Sequence, residues 1–404
     1  MITASHNPAA DNGYKVYDSS GSQVVPPADA EIAALIVSAP AADELPRDEE
    51  EWDTLGDEVL EAYLARATST LPTGPRDLTW VYTPMHGVGG DVMIAAAAHA
   101  GFAAPHVVAQ QAEPDRTFPT VAFPNPEEPG ALDLALALAT HLNADILIAN
   151  DPDADRCSVA IPTTAGWRPL TGDEVGTLLG WWTIERARRS GLVLNGTFAN
   201  SIVSSTLLER IATSAGLHYE ATLTGFKFIG RLPNLLFGYE EALGYCVDPE
   251  AVADKDGITA ALRVLELAAV LRGEGRTALD VLDDIAREHG VYATGQVSLR
   301  FDDVSHIAPK LDRIVSNPPT EVGGISVATI ENLSDGVNGL LPTPGVRLWL
   351  TDGSRIIVRP SGTEPKLKTY LMVIEPVVDD VAVARASAES RLDTLRNALS
   401  LLLS

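Results

Sequence analysis

Three carboxylates at alternate positions stand in the stretch Asn150-Asp151-Pro152-Asp153-Ala154-Asp155-Arg156. They follow the apolar run Ile146-Leu147-Ile148-Ala149, which predicts a buried strand of an α/β sheet. Like charges so close together repel, and a divalent cation removes that cost. An all-oxygen set with room for a phosphate oxygen suits Mg²⁺. The plain alternative is a solvated acidic turn. A calcium loop of the EF-hand kind needs Gly at its sixth position and Glu at its twelfth. Arg156 and Pro162 stand there instead, so that reading fails.

Three further stretches carry reactive or phosphate-binding residue types. Ser5-His6-Asn7-Pro8 is turn chemistry with a hydroxyl beside an imidazole, and Lys15 follows in Asp11-Asn12-Gly13-Tyr14-Lys15. Arg359-Pro360-Ser361-Gly362-Thr363 supplies what a phosphate dianion needs: a guanidinium fork, two hydroxyls and a glycine that lets a backbone N–H come close. Alone, it could equally be a sheet-edge turn. The pair Glu240-Glu241 lies between apolar residues on a glycine-bounded loop, where a solvated turn is the plain reading. The glycine turn His86-Gly87-Val88-Gly89-Gly90 is not G-x-G-x-x-G and gives little support to a dinucleotide site.

Composition narrows the classes. The chain has 404 residues, with 29 Lys plus Arg against 55 Asp plus Glu and a net charge of −26. That balance argues against nucleic acid or an anionic membrane as a general partner. An anionic substrate would need locally concentrated Lys and Arg. Cys157 and Cys246 give no disulfide framework and fit a reducing cytoplasm. No apolar run approaches a membrane span, and no secretory signal pattern opens the chain.

Four units are expected to position these loops: residues 1–75, 76–166, 167–290 and 291–404. The first carries helical patterns from Ala28 to Val37 and from Glu50 to Ala67, after a short strand at Val16-Tyr17. The second alternates strand, helix and strand: Thr79–Thr83, Asp91–Ala100, Ala131–Leu142 and Asp145–Ala149. That order implies a parallel sheet. The third holds helices at Asp173–Arg189, Val203–Ala215, Ile258–Leu271 and Ala278–Glu288, with strands at Leu192–Leu194 and His218–Leu223. The last reads as α+β with a largely antiparallel sheet.

Together, Thr3-Ala4-Ser5-His6-Asn7-Pro8, the Asp151-to-Arg156 loop, Gly238-Tyr239-Glu240-Glu241 and Arg359-to-Thr363 occur in order, one per unit. This set resembles the α-D-phosphohexomutases, the phosphoglucomutase/phosphomannomutase family. Gly-Tyr-Glu-Glu-Ala-Leu-Gly-Tyr is most similar to the branch of larger phosphoglucomutases that includes phosphopentomutase-active members. The resemblance implies three α/β domains with mixed sheets and a fourth, TATA-box-binding-protein-like α+β domain. Each domain would present one loop to a central cleft that binds a small sugar phosphate.

The resemblance also implies roles. Ser5 would carry the phosphoryl group, passing it to a sugar monophosphate through a bisphosphate such as glucose 1,6-bisphosphate. Asp151, Asp153, Asp155 and the Ser5 phosphate would hold Mg²⁺. Arg156, His6 and Lys15 would serve the reacting group, with Lys15 the better acid/base candidate. Glu240 would accept hydrogen bonds from sugar hydroxyls, with Lys227 and Glu241 as further substrate contacts. Arg359, Ser361, Gly362 and Thr363 would clamp the non-reacting phosphate. Many members have Ser where this chain has Ala242, so one sugar contact is missing.

In the family, the serine loop follows a strand well inside the first domain, whereas only Met1-Ile2-Thr3 precede it here. A first domain lacking roughly a hundred residues or more is therefore expected, and with it the alternative of a noncatalytic fragment of such a mutase. The other rival is a haloacid dehalogenase-type phosphatase, which also places Asp-x-Asp after an apolar strand and uses the first Asp as nucleophile. Such phosphatases usually carry Thr or Val at the position of Asp155.

Overall fold

The structure is a computed structural model and describes residues 1–46, 53–337, 339–361 and 366–403. It divides into two compact units, Met1–Phe198 with Gly225–Ala278, and Ala199–Thr224 with Leu279–Ser404. In chain order, α1 (Ala28–Ser38) and α2 (Asp57–Ser69) precede β1 (Trp80–Thr83), α3 (Gly90–His99), β2 (His106–Val107) and α4 (Asp133–Leu142). Next come β3 (Ile146–Ala149), β4 (Ser158–Thr163), β5 (Gly166–Pro169), α5 (Gly172–Arg189), β6 (Thr197–Ser201), α6 (Leu207–Ser214) and β7 (His218–Thr222). They are followed by α7 (Phe226–Ile229), β8 (Leu235–Glu240), β9 (Gly244–Cys246), α8 (Gly257–Gly273) and α9 (Ala278–His289). The chain closes with β10 (Val291–Arg300), α10 (Ile307–Ser316), β11 (Glu321–Val322), β12 (Ile325–Asn332), β13 (Val346–Leu350), β14 (Arg355–Pro360), β15 (Lys366–Glu375) and α11 (Val381–Leu403).

In the first unit, a five-stranded sheet runs β2-β1-β3-β4-β5. All four residues of β3 are buried, as its apolar run requires. β1 is parallel to β2 and β3, but β4 and β5 are antiparallel, so the sheet is mixed rather than parallel throughout. These two strands escape a sequence reading because Pro162 interrupts one and the other exposes both ends. Trp167 pairs with Pro162, so this sheet runs past residue 166, where the second unit was expected to end.

Helix α5 opens with a reciprocal capping box between Thr171 and Glu174. Helix α8 is apolar nearly all round and correspondingly buried from Gly257 to Leu267. The last carbonyl after α2, that of Thr70, accepts from Arg186 of α5 at 2.5 Å and Arg263 of α8 at 2.9 Å. Two guanidinium groups thus close an otherwise orphaned helix end. Helix α1, by contrast, has no buried residue.

In the second unit, the sheet order is β10-β15-β14-β13-β12-β11, with every pairing antiparallel. The period of two sends Ile356, Val358, Leu371 and Val373 to one face. There they pack with Leu311 and Ile314 of α10 and Leu392 and Leu395 of α11. Ile357 and Tyr370 face the other way and pack with Ile202 and Val203. Arg355 donates on that side to the carbonyls of Val203 at 2.9 Å and Ser204 at 2.7 Å.

Other expectations shift locally. The stretch 192–194 is not a strand: Val193 is 95% exposed, and the strand is the more polar Thr197–Ser201. Val16-Tyr17 makes only a single bridge, Tyr17 to Gln23. The second helix starts at Asp57, and residues 50–52 of its expected range lie outside the described residues. Among the described residues, no helix is long and apolar enough to cross a membrane.

Candidate functional site

The acidic loop leaves the end of β3 and is held rigidly from beneath. Asn150, fully buried, accepts from the Tyr82 hydroxyl at 2.9 Å and donates to the Arg156 carbonyl at 2.6 Å. The Arg156 amide donates to Asp151 Oδ1 at 3.1 Å. The glycine turn after β1 packs directly on this loop. Val88 N–H donates to the Pro152 carbonyl at 2.9 Å, and a Cβ on Gly87 would fall 2.4 Å from Pro152 Cα. These glycines therefore serve close backbone approach rather than a nucleotide phosphate.

Each of Asp151, Asp153 and Asp155 offers an oxygen within 4.8 Å of the others. At an effective dielectric of about 20, each such like-charged pair repels by roughly 3 kcal/mol. Burial, then Asp155 and Asp153, push the Asp151 carboxyl up to about 8. Asp153 Oδ1 and Asp155 Oδ1 are buried with no hydrogen-bond partner among the described residues. Three hard oxygen donors with spare lone pairs fit a Mg²⁺-sized cation.

The first residues bring the candidate nucleophile to this cluster. A short two-stranded ribbon forms as Thr3 N–H donates to the Gly13 carbonyl at 3.0 Å and Lys15 N–H to that of Met1 at 2.9 Å. Thr3 Oγ1 donates to Asp153 Oδ2 at 3.0 Å and accepts from the Ser5 amide at 2.8 Å. Ser5 is held in the left-handed region at φ 52°, a conformation that costs energy and recurs at reactive sites. Its Oγ lies 3.2 Å from Asp151 Oδ2 and 3.2 Å from His6 Nδ1. The His6 ring sits 6.3 Å from that of Phe123.

The other end of the ribbon sets Lys15 against the loop, with Nζ 3.2 Å from Asp153 Oδ2 and 2.5 Å from Asp155 Oδ2. Burial opposes the charge, but the two carboxylates outweigh it and hold Lys15 protonated well above its ordinary value. Arg156 Nε approaches Asp151 at 3.7 Å and Asp155 at 3.9 Å.

The β8–β9 hairpin adds the sugar-loop carboxylate. Glu240 pairs in register with Gly244, which bridges back to Arg156. Glu240 Oε1 accepts from the Gly225 amide at 2.7 Å, and burial pushes its carboxyl up despite Lys255 nearby. Lys227 is on α7 and ion-pairs with Asp29 at 3.1 Å, so its ammonium is engaged by α1 rather than by the acidic cluster.

Models of one family match in all four of its domains. "Phosphoglucomutase/phosphomannomutase, alpha/beta/alpha domain" I covers residues 1–42, II 61–165 and III 171–289, and the C-terminal domain covers 326–385. A probable phosphomannomutase of Haemophilus influenzae is 48% identical over 92% of this chain and 76% of its own. The chain belongs to the phosphoglucomutase/phosphomannomutase family. A mouse phosphopentomutase is 34% identical over 93% of this chain and 67% of its own. The family fold recurs in a Burkholderia thailandensis phosphoglucomutase/phosphomannomutase family protein. That structure has a TM-score of 0.68 at 18% identity, covering 99% of this chain and 75% of that one.

In the present chain, Arg359 lies near the end of β14 in the second unit, paired with Lys368, and Ser361 N–H donates to the Lys366 carbonyl at 2.8 Å. Gly362 and Thr363 lie outside the described residues. Sequence reasoning missed Lys255. Its Nζ lies 3.3 Å from Asp155 Oδ2 and 3.7 Å from Asp254 Oδ1, with the ammonium 5.6 Å from the Phe226 ring centre. The available signal was the local Asp254-Lys255-Asp256 alternation ahead of the apolar helix α8.

Proposed function

We propose that this chain is a Mg²⁺-dependent phosphosugar mutase, moving a phosphoryl group between the 1- and 6-positions of a hexose phosphate. The observation that carries this reading is Ser5 Oγ standing 3.2 Å from Asp151 Oδ2 at the rim of the carboxylate cluster. A phosphoryl group on Ser5 would lie beside Asp151, Asp153 and Asp155, the residues that would hold Mg²⁺. The cation, when bound, supplies neutralisation of the charge on the transferring group.

The chain's own residues would do the rest. A sugar hydroxyl attacks the seryl phosphate; its new O–P bond forms as the bond from phosphorus to Ser5 Oγ breaks. Over the step, one proton passes from the sugar hydroxyl to the seryl oxygen, balancing charge. His6, in contact with that oxygen, and Lys15, on the adjacent carboxylates, are placed to handle the proton. The resulting bisphosphate, such as glucose 1,6-bisphosphate, turns over and returns its other phosphoryl group to Ser5. Glu240 would accept from sugar hydroxyls, with Glu241 and Lys227 as further contacts. Arg359 and Ser361, with Gly362 and Thr363, would hold the phosphate that does not react. A phosphatase using Asp151 as nucleophile is disfavoured, because Asp151 has no exposed surface while Ser5 is only half-buried.

Sugar preference follows from Ala242, in the turn between β8 and β9. A hydroxyl-bearing residue there could discriminate epimers, worth about 1–3 kcal/mol if its bond is buried. With Ala242, we expect glucose and mannose 1-phosphates to be converted with kcat/KM values within about tenfold, and a pentose phosphate to be accepted. Coupled assays with each substrate, with glucose 1,6-bisphosphate and with or without EDTA, test both the activity and its selectivity. Glucose favoured by several orders of magnitude would contradict the role given to Ala242. No conversion of any sugar would overturn the mutase reading.

A further inference from the structure

We propose that Tyr17 and Asp254 are positioning residues, which aim the Lys255 ammonium at the acidic loop. The inference rests on the mutase reading above. Lys255 has a long stem whose free rotation costs about 2 kcal/mol to suppress. Its ammonium nonetheless stands at one place, 3.3 Å from Asp155 Oδ2. Two things restrict it. Glycine at 244 leaves room for the stem, since a Cβ there would fall 2.2 Å from Lys255 Cδ. The Asp254 carboxylate does the aiming: Oδ1 accepts from the Lys255 amide at 2.8 Å and lies 3.7 Å from Nζ.

A carboxylate can rotate about its own axis unless its second oxygen is also held. The Tyr17 hydroxyl holds it, donating to Asp254 Oδ2 at 2.9 Å. Burial and the Asp254 charge push the Tyr17 phenol well above its ordinary value, so it remains a donor. Tyr17 itself is fixed by its bridge to Gln23, two residues beyond Lys15 and twelve beyond Ser5. The segment that carries Ser5 and Lys15 therefore also sets Lys255, 238 positions after Tyr17 in sequence. The hydroxyl is the only atom that Phe lacks, so its contribution is direction rather than volume.

Misplacing a reacting-centre group by about 1 Å can cost ~100-fold in rate. Tyr17→Phe moves a group one step removed, and it is expected to lower kcat about tenfold while KM and melting temperature hardly change. In a Lys255→Met background, the same change should matter less than about twofold, because coupled residues are not additive. An equal loss in both backgrounds, or an unchanged kcat, would overturn the proposal. A wild-type chain without mutase turnover would instead defeat the mutase reading, and a second measurement then decides the positioning. Acetic anhydride labelling of Lys255, read by peptide mass spectrometry, should rise several-fold in Tyr17→Phe and in Asp254→Asn. Labelling equal to wild type in both variants would overturn it.

Discussion

Replacing Ser5 by alanine is expected to abolish mutase turnover, with no rescue by added glucose 1,6-bisphosphate. The hydroxyl that reaches Asp151 Oδ2, at 3.2 Å, is that of Ser5. A bisphosphate would then lack the hydroxyl that it is expected to load. Losing a nucleophile costs on the order of 10⁴- to 10⁶-fold in enzymes where it has been removed. The fold should survive, because Ser5 is half-buried and its hydroxyl contributes hydrogen bonds worth about 1 kcal/mol. Mn²⁺ binding, followed in parallel, should weaken little, since three carboxylates remain. A Ser5→Ala protein with undiminished turnover would remove Ser5 from the chemistry.

Asp153→Asn is expected to act through the cation. The substitution keeps the shape, and its amide oxygen can still accept from Thr3 and Lys15, which lie at 3.0 and 3.2 Å from Asp153 Oδ2. What it removes is one charge and one strong oxygen donor. Even outer-shell changes cost metal sites about 10- to 100-fold in affinity, and a ligand change should cost at least that. Turnover should fall by about 10² or more, since charge on the transferring group loses its counter-ion. Saturating Mg²⁺ should raise the melting temperature of the wild-type chain, because a ligand bound only to the folded state stabilises it. The variant should gain less. EDTA-stripped protein that turns over as fast as the Mg²⁺-loaded form would show that the loop is not a catalytic metal site.

Much of this site is local in sequence, and that is why it could be read there. The alternating carboxylates after a buried strand and the Ser5-His6 turn are each fixed within a few residues. The helices were legible for the same reason: α8 and α9 carry their own apolar pattern and, in α8, the Asp256 cap. What sequence did not disclose depends on distant partners. Lys255 acquires its meaning from Asp155, a hundred positions earlier, and Tyr17 from Asp254. The glycines after β1 gave little support to a dinucleotide site in the sequence, but their packing role depends on Pro152, 65 positions after Gly87, and could not be read there. Strands β4 and β5 carry too little alternation to be seen alone; their neighbour β3 pairs with β4 and completes them. Lys227 was named as a substrate contact from the family resemblance, whereas its ion pair with Asp29, 198 positions away, had no signal in the sequence.

The central claim is that the phosphoryl group travels on Ser5. It is tested most directly by locating that group after the Mg²⁺-loaded protein meets glucose 1,6-bisphosphate. Intact mass followed by peptide mapping of the quenched protein should show one phosphoryl group, confined to the peptide that begins at Met1 and assigned to Ser5. It should be discharged when excess hexose phosphate is added. A phosphoryl group mapped to Asp151, or one on Ser5 that hexose phosphate does not remove, would contradict the account.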